Sequence, residues 1–397
     1  MVHGLGVCLP VPGAGMPADG VAAGLRSTVR MARVAESAGF ATLWVPDSGT
    51  VDPIVVLGAL AQCTGTATVG AMVGAAGRRQ PAVLAKEMTT IDVLSSGRAA
   101  LALGVPPLGV PALGVPALGV PALGVPALGV PALGVPALGV PPLGVSLPES
   151  GDVAESGVPL PQSGDEAEST VGIGGRVARL QQALAVCRAM FRDPPVTMSG
   201  TYVAVNGAAN RPAPVSGLGP PLLVGLAGRG RALAGVAGLV DGVVVGGDRI
   251  AVERTRRGVD AACGTVGRDH GEVAVVVRRA WRGPVSRFDR DHEDGGRGCR
   301  DEDGPSGDPR GIDAGSAARL LAAEVADLLA GPADGVVVDF SGACGLTGVV
   351  ERGAGSMSTG GMDLDEVEEA WTAVLQLVAT VVISGRPVRV SGSGDLG

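Results

Sequence analysis

The stretch Ala67–Gly104 constrains the fold more than any other part of this chain. Its two ends, Ala67–Val73 and Ala99–Gly104, are short apolar runs bounded by glycine or charge. Neither run alternates apolar with polar residues, so both read as strands buried on two faces. Between them Val83, Leu84, Met88, Ile91 and Leu94 recur near helical spacing. Pro81 stands at the first helical position and Gly97 lies just past the end, as helix boundaries favour. A strand, a helix and a second strand of this kind make one βαβ unit, which calls for a parallel sheet.

The same alternation runs through the rest of the sequence. Further strands are predicted at Gly4–Leu9, Ala41–Val45, Leu222–Gly225, Gly242–Val245, Val273–Val277 and Asp334–Asp339. Helices are predicted at 22–37, 53–63, 177–191, 229–239, 250–263, 316–329 and 364–383, with a small hairpin-like excursion over Val196–Val205. Eight buried strands alternating with helices predict a (β/α)8 TIM barrel, with function at the C-terminal strand ends. Residues 1–397 are expected to be this single domain, carrying two insertions.

The first insertion, 105–170, follows the fourth strand. A Leu-Gly-Val-Pro-Ala/Pro unit repeats with a period of five from Leu103, and its Leu-Gly-Val element recurs through Leu143. Proline in each unit removes a backbone donor and glycine adds chain entropy, so neither a helix nor a central strand is expected. The near-identical copies carry no chemistry, and expansion of a tolerant loop explains them better than an elastic or binding arm. The polar stretch Glu149–Thr170 extends this insertion. A charge-rich and glycine-rich segment, 286–315, is the second.

Composition narrows the function classes. A net charge of -8 gives no basic face for nucleic acid. The longest apolar helix candidate, Val374–Ile383, is too short for a bilayer, so no membrane partner is expected. Cys8, Cys63, Cys187, Cys263, Cys299 and Cys344 are scattered without a C-x-x-C pair, which fits a reducing cytoplasm and no metal site. The only lysine is Lys86, and glycine, alanine, valine and arginine abound, as in a GC-rich coding sequence.

At the predicted strand ends lie Trp44 to Ser48, Met72-Val73-Gly74, Gly104, Gly225 to Arg229, and Gly246-Gly247-Asp248. Glycines between a strand and a helix let backbone N–H groups approach an anion, so Ala227, Gly228, Arg229, Gly246 and Gly247 read as a phosphate cradle or, equally, as tight turns. Asp241 and Asp334 precede strands and read as caps or turn formers. Asp339 ends the eighth strand, where it either faces the pocket or serves structure. His3 and His270 read as surface residues, and His292 as part of a solvated charged loop.

Several runs resemble the bacterial luciferase-like flavin and deazaflavin oxidoreductases. They are Ala35–Asp47, Ala61–Gly70, Arg79–Lys86 and Ile91–Arg98, followed by Arg179–Leu184, Pro195–Tyr202, Pro221–Gly225 and Val240–Val243. The resemblance implies a (β/α)8 barrel holding coenzyme F420, or alternatively FMN, at its C-terminal mouth. The cofactor phosphate would lie against Leu226, Ala227, Gly228, Gly246 and Gly247, with Arg229 beside it. Asp47, Met72, Val73 and Gly74 would line the ring, with a non-prolyl cis peptide near Met72-Val73, and Trp44 would either wall the ring or pack in the core. The expected reaction is hydride transfer to or from a small organic substrate, with homodimerisation left open. Ser48 stands where many relatives carry histidine, and Pro106-Pro107 where deazaflavin relatives often carry an acid, so both usual acid/base positions are lost; Asp47 and Ser48 are the catalytic candidates that the resemblance implies. A barrel that binds without catalysing is the competing reading.

Overall fold

The computed structural model describes residues 4–13, 18–73, 79–104, 173–192, 194–225, 230–280, 314–331, 333–340 and 364–384. All of them belong to the unit formed by Met1–Leu108 and Val171–Gly397. Both expected insertions, apart from the first residues of the helix that follows the second, lie outside the described residues.

In chain order the elements are β1 (Gly4–Cys8), α1 (Ala18–Ser37), β2 (Thr42–Pro46), α2 (Pro53–Cys63), β3 (Thr68–Val73), α3 (Pro81–Leu94) and β4 (Ala99–Gly104). They continue with α4 (Ile173–Arg192), β5 (Val196–Ser199), β6 (Ala204–Ala208), β7 (Leu222–Gly225), α5 (Gly230–Val236), β8 (Gly242–Gly246) and α6 (Arg249–Val266). The last are β9 (Ala274–Ala280), α7 (Ala314–Leu329), β10 (Gly335–Asp339) and α8 (Leu364–Ser384).

β1, β2, β3, β4, β7, β8, β9 and β10 close into one barrel in that order, every pair parallel. The fold is a (β/α)8 TIM barrel. The expected excursion is the antiparallel pair β5–β6, outside the barrel. The strand–helix–strand unit of Ala67–Gly104 is β3–α3–β4, in continuous register from Val69 opposite Ala99 to Val73 opposite Leu103.

Side chains on alternate faces of each strand form two cores. The outward residues pack against the helices, as Leu43, Val69, Leu101, Val224, Val275 and Val338 do. The inward ones, Cys8, Trp44, Ala100, Ala102, Leu223, Ala274, Val276 and Val337, fill the barrel. Trp44 is the large member and is 0% exposed. Gly70 makes room for it, because a Cβ there would stand 2.5 Å from the indole atoms Cε3 and Cζ3. The indole N–H donates to Thr42 Oγ1 at 3.1 Å.

The N-terminal face of the barrel is tied by charged side chains. Asp241 and Asp334, read from the sequence as caps or turn formers, each cap the start of a neighbouring strand. Asp241 Oδ2 accepts from the Leu222 N–H at 2.8 Å and from Arg188 of α4 at 2.5 Å. Asp334 Oδ2 accepts from the Val275 N–H at 2.7 Å and from Arg256 of α6. Glu36 of α1 takes the N–H groups of Gly65, Thr66 and Ala67 ahead of β3. Burial alone would raise its carboxyl pKa, but these bonds hold it below the usual carboxylate value.

Candidate active site at the barrel mouth

The mouth is built from the residues that end each strand. Two positions beyond the inward residues Ala102, Leu223, Val244, Val276 and Val337 stand Gly104, Gly225, Gly246, Arg278 and Asp339. Side-chain alternation keeps all five on the inner face. Three neighbouring strands, β4, β7 and β8, therefore end in bare backbone, and the next two, β9 and β10, carry an ion pair at the same level.

The glycines leave room rather than filling it. A Cβ on Gly104 would meet the Gly225 and Val73 carbonyl oxygens at 3.9 Å, one on Gly225 the Gly104 Cα at 3.7 Å, and one on Gly246 the Arg278 carbonyl oxygen at 4.0 Å. Among the described residues no side-chain atom comes within 4 Å of these positions. The contrast with Gly70, whose missing Cβ is occupied by Trp44, separates glycines that serve packing from glycines that keep a space open.

Across the mouth, β2 leads into a loop with its own hydrogen bonds. The Asp47 N–H donates to the Met72 carbonyl at 2.9 Å, and Asp47 Oδ1 accepts from the Gly49 N–H at 3.2 Å. Ser48 Oγ accepts from the Thr50 N–H at 3.3 Å and donates to the Pro12 carbonyl at 3.4 Å. Both residues are half-buried, and both hydroxyl and carboxylate are engaged in shaping the turn. Asp52 then caps α2 by accepting from the Ile54 N–H at 2.9 Å, and it pairs with Arg79, which also reaches Glu87 of α3 at 3.1 Å. Burial works against both charges of the Asp52–Arg79 pair. Their mutual hydrogen bond still leaves the Asp52 pKa lowered and the Arg79 pKa raised, so both stay ionised.

On the β8 side a glycine and a hydrogen bond shape the turn. Gly247 has φ +118°, a conformation that favours glycine, and its carbonyl accepts from Arg279 at 2.8 Å. Arg279 faces outward and pairs with Glu324 of α7. Asp248 caps α6 through the Ala251 N–H at 2.9 Å.

The structure thus brings Asp47, Ser48, Met72, Val73, Gly246 and Gly247 to the strand ends named in the sequence. Gly74, Leu226, Ala227, Gly228 and Arg229 lie outside the described residues, and so do His3 and His292. Trp44 sits one layer below the mouth, packed on Gly70, with no exposed surface. The cis peptide bonds among the described residues are Pro194–Pro195 and Arg211–Pro212, so Met72–Val73 is not one of them. His270 is exposed in a short turn before β9, as expected.

Arg278 is the residue that the sequence reading missed. The predicted seventh strand stopped at Val277, where the apolar run stops, whereas β9 continues to Ala280. The usable signal was the period of two through Ala274, Val276 and Arg278, which carries the arginine to the inner face. Arg278 Nε donates to Asp339 Oδ2 at 2.7 Å, which shows that Asp339 faces the mouth and is ion-paired at once.

Among the described residues no helix is long and apolar enough to cross a membrane, and no cluster of metal-ligating side chains occurs.

No curated protein matches the chain by sequence. Solved structures share the fold at low identity. A monooxygenase from Streptomyces bottropensis is 15% identical, covering 96% of this chain and 99% of its own, with a TM-score of 0.56. EDTA monooxygenase from Chelativorans sp. BNC1 is 13% identical over 97% and 94%, with a TM-score of 0.57. Coenzyme F420 dependent tetrahydromethanopterin reductase from Methanopyrus kandleri is 14% identical over 97% and 99%, with a TM-score of 0.52. The sequence pattern of the luciferase-like monooxygenases matches residues 4–112 and 161–329, well over half of the chain. The chain belongs to the luciferase-like monooxygenase family.

Proposed function

We propose that this protein is an oxidoreductase that transfers a hydride between coenzyme F420 and a small organic substrate at the barrel mouth. The observation that carries the reading is the run of inward glycines, Gly104, Gly225 and Gly246, which leaves a backbone-lined floor on three adjacent strands. A planar ring fits such a floor, and a Cβ on any of the three would begin to fill it. FMN is the alternative cofactor; F420 has the support of the fold likeness to the coenzyme F420 dependent reductase from Methanopyrus kandleri.

The chain's own residues do the positioning. Gly104, Gly225 and Met72 would bear on the ring, and Gly246 with Gly247 would hold the phosphate end at the start of α6. Arg279 fixes that turn through the Gly247 carbonyl. When bound, the deazaflavin supplies hydride donation or acceptance, and the protein supplies orientation and a proton. Asp47 is the group proposed to hold that proton. Its Oδ1 accepts from the Gly49 N–H, and Oδ2 is the oxygen that would exchange a proton with substrate. Ser48 keeps the Asp47 loop in place through Thr50 and Pro12.

Equilibrium titration of the purified protein with F420, FMN and reduced FMN, followed by absorbance and fluorescence, tests this. Saturable binding of F420 tighter than FMN supports the proposal, and the reverse order selects the FMN reading. No binding of any of the three at high micromolar concentration would sink both.

A further inference from the structure

The turn that carries Asp47 is held by a side chain from the next strand–helix unit. β2 and β3 pair as far as Pro46 opposite Met72, and the Asp47 N–H adds one more bond, to the Met72 carbonyl at 2.9 Å. Beyond that point the two chains part, one turning into α2 and the other into α3. Arg79 joins them again. Its Nη2 donates to Asp52 Oδ2, and its Nη1 donates to Glu87 Oε2 at 3.1 Å and Oε1 at 3.3 Å. Residues 47–52 are therefore fixed at both ends, at Asp47 by the β3 carbonyl and at Asp52 by Arg79. Ser48 ties the middle to the Pro12 carbonyl.

Stability does not account for an arginine at this place. Asp52 caps α2 through Oδ1, which takes the Ile54 N–H at 2.9 Å and the Val55 N–H at 3.4 Å, so the cap is made without Arg79. The guanidinium stands beside the first turn of α2, where the helix dipole disfavours a cation. The Asp52 and Glu87 side chains are 38% and 31% exposed, and ion pairs so open to solvent contribute little. What the arrangement achieves is placement. A planar guanidinium with carboxylate partners on two different elements fixes where Asp52, and with it the 47–52 turn, stands against α3.

We propose that Arg79 is a positioning residue, which acts through Asp52 to hold the Asp47 carboxylate in place at the mouth. Its value to the reaction rests on the role given above to Asp47, whereas the clamp itself can be read without any cofactor.

Hydrogen exchange of the full-length protein, followed by mass spectrometry on peptides spanning 47–52 and 65–70, tests the clamp. In Arg79→Gln the exchange over 47–52 should quicken at least about tenfold, the scale of one charge-assisted hydrogen bond. Exchange over 65–70, at the opposite face of the barrel, and the urea midpoint should stay as in the wild type. Asp52→Asn, which keeps the cap oxygen and loses the charge, should give the same change, and the double variant no more than either alone. Arg79→Lys should recover part of the protection, and serves if the glutamine variant does not fold. The visible circular dichroism of F420 at saturation, or of FMN if that is what binds, reads how the ring is held. It should weaken in Arg79→Gln, whereas a role confined to folding would leave it unaltered. Wild-type exchange over 47–52 in Arg79→Gln, effects of the two substitutions that add, or unaltered dichroism at saturation would overturn the proposal. Arg79-dependent exchange in a protein that binds neither cofactor would uphold the clamp while refuting the cofactor reading.

Discussion

Adding one methyl group at two barrel glycines should separate the space kept for a ligand from the space used by packing. In Gly70→Ala the new Cβ would stand 2.5 Å from two ring carbons of Trp44, a distance that real Cβ atoms do not tolerate. Trp44 is 0% exposed and its N–H is held by Thr42, so the ring has nowhere to move. Overpacking of this kind costs about 1–3 kcal/mol or more. In Gly104→Ala the Cβ would meet only backbone oxygens at 3.9 Å, and the reduced entropy of the unfolded chain should leave stability unchanged or raised by about 0.4–1 kcal/mol. Urea unfolding followed by circular dichroism measures both. The two variants should then exchange roles in a cofactor titration. Gly104→Ala should lose affinity for the bound ring by about tenfold, the effect of a lost contact layer of about 1.4 kcal/mol, whereas folded Gly70→Ala should bind normally. Equal destabilisation by both substitutions, or undiminished cofactor affinity in Gly104→Ala, would refute the division of the barrel glycines into two kinds.

Three further outcomes follow from the N-terminal face and the core. Glu36→Gln should lower stability by about 1–2 kcal/mol at pH 7, since a charged acceptor of three N–H groups becomes a neutral one. Because the folded pKa of Glu36 lies below the unfolded value of 4.5, the wild-type advantage should be complete above pH 4.5 and fade as pH falls through the folded pKa, as urea midpoints across pH would register. Arg188→Met should cost about 2–3 kcal/mol, because it strips donors from the Leu239 carbonyl and leaves Asp241 without one of its arginines, and thermal denaturation measures it. Burial pushes the Cys187 thiol pKa up to about 12, so peptide mapping after alkylation at pH 8 should find Cys187 unmodified in the native protein and modified after unfolding, with the half-buried Cys63 reacting first among the described cysteines.

The order and type of the elements were determined by the sequence, because a parallel barrel buries both faces of every strand and so writes each one as an apolar run. β4, β7, α2 and α3 have the bounds expected of them, and other ends move by a few residues. The largest informative shift is at β9, where pairing with β8 and β10 carries the strand past its apolar run to Ala280. Local hydrophobicity could not report this, since those residues are held by ladder hydrogen bonds rather than by burial. Positions such as Asp47, Gly246 and Gly247 were legible as strand-end residues because barrel topology assigns strand ends to the mouth. Their roles depend on inward or outward register, which is decided only when neighbouring strands close. That closure decided between the two readings of Trp44 by packing it under the mouth, gave Gly104, Gly225 and Gly246 a common floor, and brought Arg278 within 2.7 Å of Asp339 from 61 residues away. The sequence by itself determined a barrel with its function at one end. Only the tertiary structure decided which side chains share that end, because a contact between distant residues is a property of register and shear rather than of any local pattern.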